Sequence, residues 1–242
     1  MKSENIVING NQFFFKLYYE SRERSSVSIR SNKVNIRIPT SLNREEQFKE
    51  LIRMKKWANE KISQRPKRFK PEEIRTYFDG ELLKVGSEEY ILRINFKEKQ
   101  SSSVKIDRNE ITLTISSNLS NDLKNKHIST LLSRIIGGRR LDSLKIRMEE
   151  INNFYFKQNI SKVFFKNQKS RWGSCSEKGN INISTRLLFA PTDVLEYVCV
   201  HELAHRKEFN HSDKFWSLVE SVMPDYKEKE QWLKENGNKC LF

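Results

Sequence analysis

The chain has 242 residues, 45 Lys plus Arg against 31 Asp plus Glu for a net charge of +14, and three cysteines. This length supports one large domain or two small ones with a real core; the cysteines are too few and scattered for a disulfide framework, and no apolar run approaches the ~20 residues of a membrane span. The basic excess points to an anionic partner or to a generic basic surface. Nucleic acid is kept as a possible partner, although no stacking-aromatic motif or known nucleic-acid module accompanies the charge, and no membrane partner is expected.

The N-terminus, Met1-Lys2-Ser3-Glu4-Asn5, lacks the apolar stretch and small-residue cleavage site of a secretory signal. With the sparse cysteines this predicts a soluble cytoplasmic protein. Phe13, Phe15, Leu17 and Tyr19 alternate, and Val27, Ile29, Val34, Ile36 and Ile38 alternate again, which reads as hairpin strands. Leu42 to Ser63 switches to helical spacing, with Phe48, Leu51, Ile52, Met54 and Trp57 as its apolar set. Arg65-Pro66-Lys67-Arg68-Phe69-Lys70-Pro71 reads as a basic linker.

The next segment repeats the first at a shift of about 77 residues. Phe13, Phe15, Leu17 and Tyr19 fall over Tyr90, Leu92, Ile94 and Phe96, and Val34-x-Ile36-x-Ile38 falls over Ile111-x-Leu113-x-Ile115. A duplicated strand-strand-helix unit is therefore expected. The second helix is predicted to run from about Asn121 to Phe156 through Leu131, Leu132, Ile135, Leu144, Ile151 and Phe154, with a break or kink at Gly137-Gly138. Val163-Phe164-Phe165 and Ile181-x-Ile183 read as short strands around a tight loop, Ser170 to Ser176, that holds one anchored aromatic. Thr192 is a plausible N-cap for the next helix, with Asp193 and Glu196 in its first turn.

That helix carries His201-Glu202-Leu203-Ala204-His205, with His211 six positions further on. Residues four apart share a helix face, so His201 and His205 can aim two imidazoles at one point, half of a tetrahedral zinc site. Glu202 lies beside that point without ligating it, where a carboxylate can take a proton from metal-bound water. For His211 to return as third ligand the helix must end first, and Asn210, which tolerates the left-handed conformation, is the expected terminator. Three protein ligands leave a fourth position open, the arrangement of a catalytic zinc. The surrounding residues, Val194, Leu195, Tyr197, Val198, Cys199, Val200, Leu203 and Ala204, make the helix apolar nearly all round and hence buried, which disfavours a histidine pair with no partner. Downstream, Ser212 can cap a helix through Phe215, Leu218, Val219 and Val222, and a last helix from about Tyr226 to Glu235 packs through Trp232 and Leu233.

Ser170-Arg171-Trp172-Gly173-Ser174-Cys175-Ser176, Ala190-Pro191, the helix through His205, Asn210-His211-Ser212-x-x-Phe215-Trp216 and Pro224-Asp225-Tyr226 resemble the YgjP-like family of predicted zinc metallopeptidases. The N-terminal part resembles it more loosely, through Arg24-Ser25-Ser26-Val27-Ser28-Ile29-Arg30, Lys56-Trp57 and Phe78-Asp79-Gly80-Glu81. The chain is thus expected to be α+β: a β-rich N-terminal region over residues 1–118 with its internal repeat, then a domain over 119–242 that the resemblance makes a small zincin. The resemblance implies His201, His205 and His211 as zinc ligands and Glu202 as general base. It makes Ile181 to Ser184 the edge strand for an extended substrate, and gives Arg171-Trp172 a place at the cleft rim or in the core. Metzincins have a glycine where this chain has Glu208, so the turn to His211 is expected to be built differently. Glu220 on the following helix is the rival third ligand, and Met223 is expected to pack in the core.

The expected reaction is zinc-assisted hydrolysis of a protein or peptide, with Glu202 activating the water. Two alternatives are a DNA-associated protease resembling the SprT-like enzymes and a non-catalytic binding module with a structural zinc. The tail Lys239-Cys240-Leu241-Phe242 is long enough to reach a cleft.

Overall fold

The computed structural model describes residues 2–65, 69 and 75–242, so the expected basic linker falls largely outside the described residues. The chain is an α+β protein that divides into two compact units, Met1–Glu73 and Ile74–Phe242. The boundary expected between residues 118 and 119 falls inside the second unit.

In the first unit, strands β1 (Lys2–Ile8), β2 (Asn11–Glu20), β3 (Ser26–Arg30) and β4 (Lys33–Pro39) form a sheet ordered β1-β2-β4-β3, followed by helix α1 (Arg44–Gln64). The hairpins are β1-β2 and β3-β4, so Val27 to Ile38 forms a hairpin as it reads, while β2 pairs antiparallel with β1 and lies parallel to β4. The missed strand, β1, turns into β2 at Asn9-Gly10, both at positive φ. Asn-Gly is the dipeptide a two-residue hairpin turn favours, so the signal was present in the sequence. Helix α1 begins in a capping box, Asn43 Oδ1 accepting from the Glu46 amide and Glu46 Oε2 accepting from the Asn43 amide. It packs Met54, Ala58 and Ile62, with Leu51, against Phe13, Phe15, Val34, Ile36 and Ile38. Phe48, Ile52 and Trp57 are exposed, because they fall off the stripe that the 51-54-58-62 spacing aims at the sheet.

The second unit opens with the same arrangement. Strands β5 (Leu82–Val85), β6 (Glu88–Lys97), β7 (Ser103–Asp107) and β8 (Glu110–Ser116) are ordered β5-β6-β8-β7, and helix α2 (Asn121–Arg139) follows. Phe14 faces Lys33 across the first parallel pair and Ile91 faces Glu110 across the second, so the 77-residue shift holds to the register. The repeat is thus four strands and a helix, larger than the expected strand-strand-helix unit.

Helix α2 runs through Gly137 and Gly138 and stops after them; α3 (Leu141–Ile151) then continues into a π-helical turn, Asn152–Phe156. Gly137 is a packing residue, since a Cβ there would lie 3.1 Å from Thr185 Cγ2 and 3.3 Å from Phe165 Cβ. The wider π turn shifts the helical phase, so Phe156 is buried and Phe154, expected in the core, is exposed. Strands β9 (Lys162–Lys166), β10 (Gly173–Cys175) and β11 (Asn180–Ser184) form a three-stranded sheet ordered β10-β11-β9. After a 3-10 turn, Thr185–Phe189, come helices α4 (Thr192–Ala204), α5 (Asp213–Val222) and α6 (Tyr226–Asn236). Pro191 rather than Thr192 takes the cap position of α4, and Asp193 pairs with Lys229 of α6 at 2.7 Å. No helix among the described residues is long and apolar enough to cross a membrane.

None of the tail residues Lys239 to Phe242 lines the cleft beside Glu202. Cys240 and Phe242 are buried, and Phe242 packs edge-on against Phe189, with ring centroids 4.6 Å apart. Ser129 Oγ donates to the Phe242 carbonyl at 2.8 Å and Arg186 Nε to the Cys240 carbonyl at 2.9 Å. An aromatic side chain gains more in that apolar core than in a half-open cleft.

Candidate active site

Helix α4 is the axis of the site. Val194, Tyr197, Val198, Cys199, Val200, Leu203 and Ala204 bury it on nearly every side. That leaves His201 and His205, one turn apart, on the same half-open stripe. The helix ends at Ala204 with His205 as its C-cap, earlier than Asn210. Closure is local: the Ala204 carbonyl accepts from both the Lys207 and the Glu208 amides at 2.9 Å. Asn210 is not among the residues at positive φ, so the expected left-handed terminator is not used. A second tight turn, Ser212 amide to Asn210 carbonyl at 2.8 Å, sends the chain back, and Ser212 Oγ caps α5 by accepting from the Phe215 amide.

This path brings His211 over the other two histidines. Ligand atoms of His201, His205 and His211 all lie within 4.8 Å of one another, and the Nε2 atoms of His201 and His211 are 3.1 Å apart. Two nitrogens held tetrahedrally at ~2.0–2.1 Å from one ion would stand ~3.4 Å apart, so the cluster has the size of a shared metal. His205 Nδ1 lies 3.1 Å from the Glu208 carbonyl, which fixes the tautomer that donates there and leaves Nε2 as a lone-pair donor. Burial, with His205 and His211 beside it, pushes His201 down to about 3, and burial lowers His205 as well. Neutral imidazoles are the form that binds a metal, so the donor set fits one. Phe215, fully buried, forms the floor, its ring 4.9, 4.5 and 4.8 Å from the rings of His201, His205 and His211. Trp216 stacks on His211 at 5.8 Å and on Tyr226 at 5.3 Å, tying the third histidine to α6. Glu220, the rival ligand, is exposed and stands outside this cluster, and Met223 packs in the core.

Glu202 is only 5% exposed. Burial pushes its carboxyl up to about 8, against the pull of Arg171, whose positive charge favours ionisation. Across from it runs β10. A Cβ on Gly173 would lie 2.7 Å from Glu202 Cγ and 2.8 Å from Cδ, so the carboxylate occupies space that only a glycine leaves free. Beside them opens a cleft of about 340 Å³, walled by Trp172, Tyr197, Val198 and Leu233, with Glu230 and Lys234 at its α6 end. Trp172 is both wall and anchor: the Arg186 guanidinium covers its ring at 4.2 Å and also donates to the carbonyls of Lys169 and Gly237. Sequence reasoning found the histidines and Glu202 but missed Gly173, Phe215 and Tyr197 as parts of the site, because each also reads as a loop or core residue.

The strand expected to offer a free edge, Ile181 to Ser184, does not. It is the central strand, antiparallel to β10 and parallel to β9. The edge on the Glu202 side is β10, too short for its three residues to announce themselves as a strand.

A search of curated proteins finds no significant match. Among solved structures, the chain is similar to the metallopeptidase zymogen of Pyrococcus abyssi abylysin, at 28% identity and a TM-score of 0.35 over 38% of this chain and 92% of that one. It is similar also to the metallopeptidase zymogen of Methanocaldococcus jannaschii jannalysin, at 21% identity and a TM-score of 0.34 over 38% and 93%. The family model described as YgjP-like, metallopeptidase domain, matches residues 23–236, nearly the whole chain. The protein is thus a metallopeptidase of the YgjP-like family.

Proposed function

We propose that the chain is a zinc peptidase in which His201, His205 and His211 hold the ion and Glu202 moves the protons. The observation that carries this reading is the convergence of three imidazoles, with ligand atoms within 4.8 Å, beside a buried carboxylate at an open cleft. Zinc, when bound, supplies Lewis acidity that makes water acidic near neutral pH and polarises a carbonyl. Glu202 accepts a proton from the attacking water and returns it to the nitrogen of the leaving amine. Burial raises the Glu202 carboxyl above the ordinary carboxylate range, which makes its ionised form a stronger proton acceptor than a solvated one. An extended protein or peptide substrate pairs through its backbone with the free edge of β10, which replaces the 181–184 strand in that role. A structural zinc in a binding module would have no use for a buried carboxylate facing a cleft. Three free thiols, two of them buried, fit a reducing, cytoplasmic setting.

The test is zinc content together with hydrolysis of an unfolded protein substrate. Glu202→Gln is expected to keep one zinc per chain and lose activity by about 10²–10⁴-fold, the worth of a general acid-base group. His205→Ala is expected to lose both zinc and activity. Full activity in Glu202→Gln would overturn the reading.

A further inference from the structure

The net charge of +14 is not spread evenly. Residues 1–73 hold 17 of the 45 basic residues and 9 of the 31 acidic ones, a net of +8 in less than a third of the chain. The strand register shows where some of it stands. One face of the first sheet is sealed by α1; on the other face, Phe14 of β2 is directly beside Lys33 of β4, which faces Arg30 of β3. Two residues further along β2, Lys16 faces Asn35, and two further again, Tyr18 faces Arg37. Phe14 is 37% exposed although both sequence neighbours are buried, and the Arg37 guanidinium lies 5.4 Å from the Tyr18 ring centroid. Glu20, at the end of this face, sits 3.7 Å from Arg37 and 3.9 Å from Arg22.

The duplication supplies an internal comparison. With the same register, the second sheet places Ile91 where Phe14 stands, Glu110 for Lys33 and Asp107 for Arg30, and Asn95 beside Thr114 in place of Tyr18 beside Arg37. Arg93 is there neutralised by Glu110 at 3.1 Å. Among the described residues the second face carries no aromatic ring, and its Arg93, Lys97 and Lys105 stand with Asp107 and Glu110, a smaller excess than Lys16, Arg30, Lys33 and Arg37 with Glu20 in the first. The backbone of the repeat does not require those side chains, so the fold does not explain them in the first copy.

We infer that the open face of the first sheet, Phe14 and Tyr18 with Lys16, Arg30, Lys33 and Arg37, is a binding surface for single-stranded nucleic acid. Two rings on one strand, about 13 Å apart at ~3.3 Å per residue, offer stacking platforms for unpaired bases. Each ring has a cation registered on the next strand, where the phosphates of a bound chain would run. A duplex hides the faces of its bases, so rings in this arrangement select for single strands, whereas charge alone does not. An acidic protein would satisfy the cations and leave the rings unused.

The test is fluorescence anisotropy of the full chain with a labelled oligo(dT) or oligo(U) of about 12 nucleotides, within the range one such platform covers. Competitors are the same length of duplex and a poly-glutamate peptide. The single strand is expected to bind more tightly than either, with a log-log salt slope of about −3 for four cations at ~0.7 each. Phe14→Ala and Tyr18→Ala should each weaken binding about tenfold without changing that slope, as loss of stacking does. Lys33→Glu, which copies the second sheet, should weaken binding and flatten the slope, while Ile91→Ala should do nothing. Circular dichroism and urea midpoints check that these surface variants fold. Equal affinity for duplex, insensitivity to both aromatic variants, tighter capture of poly-glutamate, or no oligonucleotide binding at low salt would each overturn the proposal.

Discussion

Gly173 and Glu202 occupy one space: a side chain on the first would collide with the carboxylate of the second, at 2.7 Å from its Cγ. The edge of β10 and the buried acid of α4 are therefore fitted to each other, and the smallest change at one should be read at the other. Gly173→Ala is expected to keep the metal and to lose at least tenfold in kcat/KM, because a misplacement of about 1 Å costs up to ~10²-fold. Overpacking should also cost about 1–3 kcal/mol in stability. Zinc content measured beside kcat separates the two effects; unchanged kcat would mean Glu202 does not need its present position.

The raised Glu202 carboxyl makes a prediction for the metal-free protein. An acid whose folded-state value is about 8, against the ordinary 4.5, stabilises the fold fully below 4.5, and that contribution is lost as the pH rises through 8. His201 acts in the opposite sense. Depressed from 6.5 to about 3, it contributes above 6.5, and that contribution is lost as the pH falls through 3. Glu202→Gln should thus gain on the wild type between pH 5 and pH 8, by at most a few kcal/mol at ~1.4 kcal/mol per pKa unit. Urea unfolding of both metal-free proteins at the two pH values tests this; parallel curves would contradict it.

Metal should bind the folded chain alone, since the three histidines converge only once the turns from Ala204 to Ser212 have formed. Zinc at about a hundredfold above its dissociation constant is expected to add ~2.7 kcal/mol and raise Tm. Chelation should reverse the gain, and His211→Ala should reduce it. A Tm indifferent to zinc would contradict the ligand assignment.

Phe242 is anchored away from the cleft, against Phe189 and beneath Ser129. Phe242→Ala should therefore lower stability, by about 3–5 kcal/mol as for other buried aromatic truncations, and leave kcat/KM within about twofold. A rise in activity would instead show the tail to be inhibitory.

The candidate site residues His201, Glu202 and His205 were legible in the sequence because their geometry is local. A four-residue spacing on a helix sets His201 and His205 on one side whatever surrounds them, and the helix's own apolar composition shows that it is buried. The internal repeat was legible for a similar reason, since alternation and helical spacing survive in both copies. The π turn that exchanges Phe154 for Phe156 was not, because adding a residue to one turn leaves no mark in composition. Nor was the order β10-β11-β9, since short strands carry no label saying which will be central.

What the sequence by itself determined is therefore a candidate chemistry: two histidines and a glutamate on a helix that must be buried and a third histidine beyond its end, inside a family pattern, on a basic chain with a duplicated unit. What only the tertiary structure decided is which residues from distant segments meet. Gly173 makes room for Glu202, Phe215 floors the three imidazoles, and the tail goes into the core rather than the cleft. The pleat and register of the first sheet bring Phe14 beside Lys33 and Tyr18 beside Arg37. Those contacts depend on strand pairing and packing between segments up to about 110 residues apart, which a local periodicity cannot encode.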